Sequence, residues 1–290
     1  MTPGKVPSYV LCKDMAFIRE SIEREERQMR VTSVGLTDIG RKREVNQDSL
    51  LINDDLGLYT VADGMGGHAG GEIASSVAVE TIEHKLVAAS DNGTAPFHQR
   101  LGLEESGMAE HLREAVEAAC WAVFQRARED PALRGMGTTV SSLLLQDSAE
   151  EGSVDAYLAH VGDSRVYLVR GSMIHQLSED HTLVNEQLKA GIITADQAEN
   201  SRVKNIITRS VGFEEDVLVD VVGLWAEPGD VFVLCSDGLT GFVDESEILD
   251  HVESFKGEDL DALPKRLIDL ANDRGGDDNV TVLIVRVDAA

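Results

Sequence analysis

The sequence has few cysteines and no long apolar run. Its three cysteines, Cys12, Cys120 and Cys235, lie far apart and are odd in number, which argues against a disulfide framework and a zinc-type cluster. The longest apolar runs, such as VTVLIV near the C-terminus, are too short to cross a bilayer, and the first residues lack the pattern of a secretion signal. We therefore expect a cytoplasmic protein that has no membrane partner.

Positive charge is also scarce. The 290 residues include 26 Lys and Arg against 52 Asp and Glu, which gives a formal net charge of −26. Because contacts to phosphate dominate affinity for nucleic acids, a chain this acidic is a poor binder of DNA or RNA. The hydrophobic share of 42% is ample for a core, so disorder of the whole chain is excluded.

Strand and helix patterns come in groups rather than in regular alternation. Four consecutive strand patterns occupy residues 138–178, and helical patterns at 70–89 and 108–130 precede them. Such grouping predicts antiparallel sheets covered by helices. Within the strand-rich stretch, the turn GDSR at 162–165 predicts a β-hairpin.

The chain is predicted to contain one domain with an N-terminal extension. No change in composition divides residues 31–290, whereas residues 1–30 carry two prolines and then a charged segment with helical periodicity. This extension either docks a partner or packs on the domain. We favour packing, because a terminal helix usually needs tertiary contacts to persist.

Four aspartates stand at the ends of predicted strands. Asp63 and Asp237 end a strand, Asp163 follows one, and Asp278 precedes the last. Each alone fits an ordinary turn, but neighbouring antiparallel strands would bring all four to one edge of the sheets. Clustered carboxylates repel one another unless a proton or a cation lies between them. Ligands that are all oxygen suit Mg²⁺ or Mn²⁺, so the pattern predicts a metal site.

The glycine-rich stretch after the third strand raises nucleotide binding as an alternative. Gly64, Gly66 and Ala69 fit the dinucleotide fingerprint, but the second strand with an acidic end that should follow the helix is missing. No Gly-Lys-Ser/Thr phosphate cradle occurs either. We interpret these glycines as residues that let the backbone approach ions held by Asp63.

Eight short motifs follow one another along the domain. They are GRKREVNQDS at 40–49, VADGMGGHAGGE at 61–72, GTT at 137–139, AHVGDSRVYL at 159–168, LSEDHT at 177–182, TRSVG at 208–212, LCSDGLTG at 234–241 and GGDDNVTVL at 275–283. In wording and in order, the set resembles the metal-dependent Ser/Thr protein phosphatases, the PPM or type 2C family, and above all its bacterial single-domain members. The resemblance covers essentially all of the predicted domain.

The resemblance implies an α+β fold, an α-β-β-α sandwich of two antiparallel sheets flanked by helices, with a metal centre at one end. It implies two Mn²⁺ or Mg²⁺ ions and the possibility of a third, weaker one. Asp63 would bridge the first two ions, the carbonyl of Gly64 would bind one of them, and Asp237 and Asp278 would hold the other. The third ion would be bound by Asp163 together with Asp237. The full implied ligand set is Asp63, the carbonyl of Gly64, Asp163, Asp237 and Asp278.

The resemblance also implies roles for residues outside the ligand set. Asp48 would act through metal-bound water, and Arg43 would grip the substrate phosphate. His68 matches a histidine of bacterial members and would protonate the leaving alkoxide. Gln47 stands where many relatives carry an acid, and His160 is expected to be structural.

The implied reaction is hydrolysis of phosphoserine or phosphothreonine in proteins. A water or hydroxide that bridges two metals would attack phosphorus directly, without a phosphoenzyme. Residues 177–212 occupy the place of the family's flap, the substrates would be those of a cognate Ser/Thr kinase, and we expect a monomer. Two alternatives stay open: an inert binding module, which the complete set of aspartates disfavours, and a phosphatase dedicated to one regulatory protein.

Overall fold

Alternating apolar residues give the chain two stacked antiparallel sheets. The computed structural model describes residues 29–67, 70–90, 105–147, 154–199, 201, 203–255 and 260–289. Within these ranges, one sheet has the order β1-β11-β10-β7-β8, and the other has the order β2-β3-β5-β6-β9 with β4 paired to β3. The strands are β1 Arg30–Asp38, β2 Asp48–Asn53, β3 Leu58–Met65, β4 Gly137–Thr138, β5 Val140–Asp147, β6 Val154–Val161, β7 Arg165–Arg170, β8 Met173–Gln176, β9 Asp220–Ala226, β10 Val231–Cys235 and β11 Val280–Asp288.

Helices cover both outer faces of the sheets. Two long helices pack on the sheet that contains β3, and two shorter ones pack on the sheet that contains β10. The α-helices are α1 Gly70–Ser90, α2 Glu105–Glu129, α3 Leu183–Lys189, α4 Ala195–Glu199, α5 Asp237–Thr240, α6 Glu245–Ser254 and α7 Leu263–Arg274. Short 3₁₀ helices lie at Pro131–Leu133 and Leu260–Ala262. No helix in these ranges has the length and apolarity that a membrane span requires.

The period of two along each strand separates three layers of core. Along β10, Phe232 and Leu234 face the opposite sheet, whereas Val233 and Cys235 face α6 and α7. Tyr59 of β3 likewise lies between the sheets. Each fully buried aliphatic or aromatic side chain of this kind contributes about 1.5–3 kcal/mol through its transfer from water. The predicted α-β-β-α sandwich is confirmed.

The predicted hairpin at 162–165 is wrong. β6 pairs with β5 and β9, and β7 pairs with β10 and β8, so the turn carries the chain from one sheet to the other. Period-two patterns on both sides of a tight turn cannot distinguish a hairpin from a change of sheet, because the pattern gives the face that a residue occupies and not the strand that pairs with it. The proposed N-terminal helix falls almost wholly on residues 1–28, which lie outside the described ranges.

Candidate metal centre

Two aspartates face each other across neighbouring strands at one end of the sandwich. Asp48 begins β2 and Asp63 lies in β3, and the register pairs them directly. Side chains opposite each other in an antiparallel pair are close neighbours on one face. Asp63 has the parity of Tyr59 and Val61, so it lies on the face between the two sheets. The prediction that β3 ends at Asp63 is wrong, because the strand continues to Met65 by pairing with β4.

The other sheet delivers three further aspartates to the same end. Cys235, the last residue of β10, pairs with the first residue of β7 on one side and with β11 on the other. Asp163 therefore precedes β7, Asp237 begins α5 just after β10, and Asp278 precedes β11 at a common level. We call Asp48, Asp63, Asp163, Asp237 and Asp278 the acidic cluster.

The acidic cluster is strained electrostatically. Burial, followed by nearby carboxylates, raises the pKa of Asp48 and of Asp163 to about 7. The same causes raise the pKa of Asp63 well above its usual range, and the charges that act on it belong to the four other members. Burial and the charge of Asp278 also raise the pKa of Asp237, which shares a hydrogen bond with Asp63. The five carboxylates thus lie within electrostatic reach of one another and disfavour simultaneous ionisation.

The donor chemistry of the cluster fits hard divalent cations. All of its side-chain donors are carboxylate oxygens, which Mg²⁺ and Mn²⁺ prefer. Asp48 Oδ1 is buried and has no hydrogen-bond partner among the described groups, so it has acceptor capacity to spare. No three His, Cys, Asp or Glu side chains in the described ranges already surround one point as closely as the ligands of a single ion. The acids converge without forming a closed ligand shell.

Backbone packing leaves Gly64 no room for a side chain. A Cβ there would lie 2.0 Å from the carbonyl oxygen of Gly71 and 2.5 Å from that of Gln47. The Gly64 N–H donates to Gln47 O at 3.1 Å, and Gln47 Nε2 donates to Gly66 O at 3.2 Å. Close backbone contacts therefore fix the segment after Asp63, and the approach of its backbone to ions stays a prediction.

Arg43 lies at the mouth of the cluster. Its Nη2 donates to Asp278 Oδ2 at 2.6 Å, while about half of its side chain stays exposed. The connection that carries Arg43 is held by Asn279, whose Oδ1 accepts from the Gln47 N–H at 2.8 Å and whose amide donates to Val45 O. A guanidinium held in this way can meet an anion that approaches the acids from solvent.

Hydroxyl groups join the turn of Asp163 to the strand of Asp63. The Thr139 hydroxyl accepts from the Asp63 N–H at 2.9 Å and bonds the Ser164 hydroxyl at 2.7 Å. The Thr139 N–H donates in turn to Asp63 O. Sequence reasoning quoted Thr139 only as part of a motif, since a buried threonine carries no local signal of such a bridge.

His160 is structural, as predicted, and it has a partner that the sequence did not reveal. Its Nδ1 bonds the Ser141 hydroxyl at 2.9 Å, and burial lowers its pKa to about 4, so the ring is neutral near pH 7. His181 packs against it with ring centroids 5.0 Å apart. Because His181 Nδ1 accepts from the Gly162 N–H, its proton resides on Nε2, which donates to Asp220 at 3.1 Å. The pair fixes the backbone just before Asp163.

The structure brings the four predicted aspartate ligands together at one end of the sandwich. Asp63, Asp163, Asp237 and Asp278 meet at one end, but they come from two sheets rather than from one edge. His68 lies outside the described ranges. Sequence reasoning missed Ser236 and Thr281, whose hydroxyls both donate to Asp48.

Comparisons with known proteins agree with this architecture. The family model of Protein phosphatase 2C matches residues 39–267. Protein phosphatase PhpP of Streptococcus pneumoniae is 39% identical over 257 residues, which span 86% of this chain and 95% of that protein.

Two solved structures share the fold. The serine/threonine phosphatase of S. agalactiae has a TM-score of 0.76 at 34% identity and covers 89% of this chain and 100% of its own. The catalytic domain of the serine/threonine protein phosphatase PstP, solved with two manganese ions, has a TM-score of 0.72 at 30% identity and covers 90% of this chain and 100% of its own. With a matching family model, a similar curated phosphatase and a shared fold, the chain belongs to the protein phosphatase 2C family and is a metal-dependent phosphatase of phosphorylated proteins.

Proposed function

We propose that the acidic cluster holds the metal centre of this phosphatase and hydrolyses phosphoserine and phosphothreonine there. Asp63 and the carbonyl of Gly64 are the proposed ligands of one ion, and Asp63, Asp237 and Asp278 those of another. Asp163, with Asp237, would bind a third, weaker ion. The observation that carries this assignment is the convergence of five mutually repelling carboxylates, which among the described residues face the charges of Arg43 and Arg165 only.

The proposed ions are Mn²⁺ or Mg²⁺. The structure of PstP with two manganese ions supports the first choice, and the all-oxygen donor set suits both. When bound, such ions supply an activated water and neutralise the charge that develops on the transferring phosphoryl group.

The protein side chains are proposed to bind and orient the phosphate. Arg43, which already reaches an anionic oxygen of Asp278, would grip the substrate phosphate through its guanidinium. Asp48 Oδ1 would accept a hydrogen bond from a water molecule of the centre, since its other oxygen is already bonded. These contacts fix the phosphorus for in-line attack.

We propose direct transfer of the phosphoryl group to water, without a phosphoenzyme. Of the two described cysteines, Cys235 lies nearer the cluster, and burial raises its pKa to about 12, so it is not a thiolate near pH 7. The hydroxyl of Ser236 next to it donates to Asp48 at 2.8 Å. Both side chains are fully buried, so neither can meet a phosphate that approaches from solvent, which supports attack by water.

His68 is proposed to protonate the leaving alkoxide. If it does, His68→Gln should slow hydrolysis of a phosphothreonine peptide about 10–100-fold and leave hydrolysis of p-nitrophenyl phosphate almost unchanged, because nitrophenolate needs no proton to leave. Equal slowing of both substrates would contradict the assignment.

Residues 177–212 are proposed to contact substrate as a flap beside the centre. Backbone bonds close its base, where the Thr208 N–H donates to His181 O, while Ile192 is 69% exposed. Ile192→Ser should change KM among phosphopeptides and leave Mn²⁺ affinity unaltered. A changed metal affinity with unchanged KM values would argue against this role.

The proposed setting is a cytoplasmic monomer that reverses a cognate Ser/Thr kinase. The similarity to Protein phosphatase PhpP supports phosphorylated proteins as the substrates. Sedimentation of the purified protein tests the monomer, and activity towards the autophosphorylated kinase encoded in the same genome tests the pairing. Residues 1–30 are proposed to pack on the domain rather than to dock a partner.

The decisive experiment is a metal titration of chelator-treated protein against a phosphothreonine peptide. Activity should return with Mn²⁺ or Mg²⁺ in the wild type and fall more than about 100-fold in Asp237→Asn. Asp277→Asn is the matched control, because Asp277 is exposed, pairs with Lys42 at 2.6 Å and is outside the cluster. Folded wild-type protein without turnover at any metal concentration would contradict the proposal. Turnover of one phosphoprotein but not of peptides would indicate a dedicated phosphatase.

A further inference from the structure

The two oxygens of the Asp48 carboxylate have different surroundings. Oδ2 accepts from the hydroxyl of Thr281 at 2.7 Å and from that of Ser236 at 2.8 Å. Oδ1 is buried and has no partner among the described groups. An unsatisfied buried acceptor is costly, so a carboxylate bonded on one side only requires an explanation.

The bonds behind Oδ2 form a chain of donors. Asn46 Nδ2 donates to the Thr37 hydroxyl at 2.8 Å, and the hydroxyls of Thr37 and Thr281 lie 2.7 Å apart. Each hydroxyl has a single proton. Because Thr281 gives its proton to Asp48, Thr37 must donate to Thr281. Every proton in the chain therefore points towards Oδ2, and Oδ1 is left as the free acceptor.

The Ser236 hydroxyl bonds Asp48 and does not cap the helix that follows it. It occupies the N-cap position of α5, yet its side chain makes no cap hydrogen bond. Its hydroxyl donates to Asp48 instead and accepts from the Thr281 N–H at 3.0 Å. Serine is a favoured cap residue, so its diversion indicates that the bond to Asp48 is the one the fold retains.

The chain of hydroxyls also connects the two sheets at the acidic cluster. Asp48 belongs to the sheet of β2, whereas Thr37 and Thr281 are register partners on β1 and β11 of the other sheet. Ser236 directly precedes Asp237, and Thr281 lies three residues after Asp278. Asp48 is thereby pinned to the segments that deliver two other acids.

We propose that Ser236 and Thr281 are positioning residues of the phosphatase: their hydroxyls hold Asp48 Oδ2 so that Oδ1 faces the metal centre at a fixed place. The inference rests on the proposed metal site. It adds two residues that touch neither substrate nor metal and that act on the metal centre through Asp48.

The test is Mn²⁺ binding to chelator-treated protein, measured by calorimetry and independent of turnover. Thr281→Val keeps the shape of the side chain and removes the hydroxyl, and Ser236→Ala removes the second donor. Each should weaken Mn²⁺ binding about 10-fold, and the double variant more, within the range of about 10–100-fold typical of groups that orient metal ligands. Thr281→Ser, which restores the hydroxyl, should return the affinity to that of the wild type.

Thr60→Val is the matched control. Thr60 and Ser142 form a buried hydroxyl pair at 2.9 Å in the sheet that contains Asp48, away from the acidic cluster. This variant should lose stability to a similar extent, as followed by urea unfolding, and bind Mn²⁺ like the wild type. Because a general loss of stability would affect all variants alike, the difference from Thr60→Val isolates positioning.

The outcomes separate this inference from the proposed function. Wild-type Mn²⁺ affinity in folded Thr281→Val and in Ser236→Ala would overturn the positioning role and leave the metal site standing. Absence of Mn²⁺ binding by the wild type itself would overturn the proposed metal site, and the inference with it. If Thr281→Val does not fold, the Mn²⁺ affinities of Ser236→Ala and Thr281→Ser decide whether the hydroxyls position Asp48.

Discussion

The two ends of the sandwich bury carboxylates in opposite ways. At the end away from the metal centre, Asp230 is almost fully buried and Arg170 grips it with two bonds of 2.8 and 2.6 Å, while the Glu227 N–H adds a third. At the other end, five aspartates crowd together, and Arg43 bonds only Asp278 among them. The same residue type is neutralised by the fold at one end and left uncompensated at the other.

The difference shows where the protein depends on something outside itself. A buried carboxylate with a bidentate arginine is satisfied by the chain alone. Five carboxylates without matching cations are stable together only with shared protons or bound cations. The acidic end thus carries the proposed ion site, whereas the carboxylate at the opposite end is satisfied by groups of the chain itself.

Removal of one carboxylate from the acidic cluster should have the largest effect on activity. Asp63→Asn should abolish most activity, by more than about 100-fold, because Asp63 is the proposed ligand common to two ions. The chelator-treated variant should nevertheless be more stable than the wild type near pH 7, because the raised pKa of Asp63 is a cost of folding at neutral pH that asparagine does not carry. Turnover and urea unfolding with chelator check both statements, and a destabilised variant would contradict the comparison.

The next largest effect on activity is expected from alanine substitution of a glycine at the acidic end, compared with the same substitution at the opposite end. Gly64→Ala forces a methyl group against two carbonyl oxygens and should lower activity about 10–100-fold by displacing the loop after Asp63. Gly171→Ala, in the open turn after β7 at the opposite end, has φ +61° and free space. It should cost only about 1–2 kcal/mol of stability and no activity. Equal activities in the two variants would refute the contrast.

Breaking the pair at the opposite end should affect stability alone. Arg170→Met leaves Asp230 buried with a single backbone donor and should lower the free energy of unfolding by about 3 kcal/mol, the lower end for a broken buried ion pair because Arg170 is partly exposed. Mn²⁺ affinity and kcat should stay as in the wild type. An altered metal affinity would mean that the two ends are coupled.

The last prediction concerns how the stability of the metal-free protein depends on pH. The pKa values of Asp48 and Asp163 are raised to about 7, above those of the unfolded chain, so the folded state holds more protons. Their stabilising contribution is complete below about pH 4 and is lost as the pH rises through about 7, so the metal-free protein should lose stability steadily across this window. Urea unfolding with chelator measures the fall, Asp163→Asn should reduce it, and a rise would contradict it.

Motif wording and order were enough to predict the family and the sandwich, and the strand patterns singled out Asp63, Asp163, Asp237 and Asp278. Those predictions rest on local patterns, since a strand alternates with period two and a loop glycine or aspartate is visible where it stands. The predicted hairpin at 162–165 was wrong because a local pattern does not say which sheet a strand joins.

The chain by itself therefore determined which residue types are available and at what spacing. Only the tertiary structure decided that Asp48 faces Asp63, that Arg43 reaches Asp278 from 235 positions away, and that Thr37 meets Thr281 across 244 positions. Such contacts depend on the order of strands in two sheets and on how the sheets stack. A period of two in the sequence encodes which face a residue occupies, but it carries no information on what lies opposite.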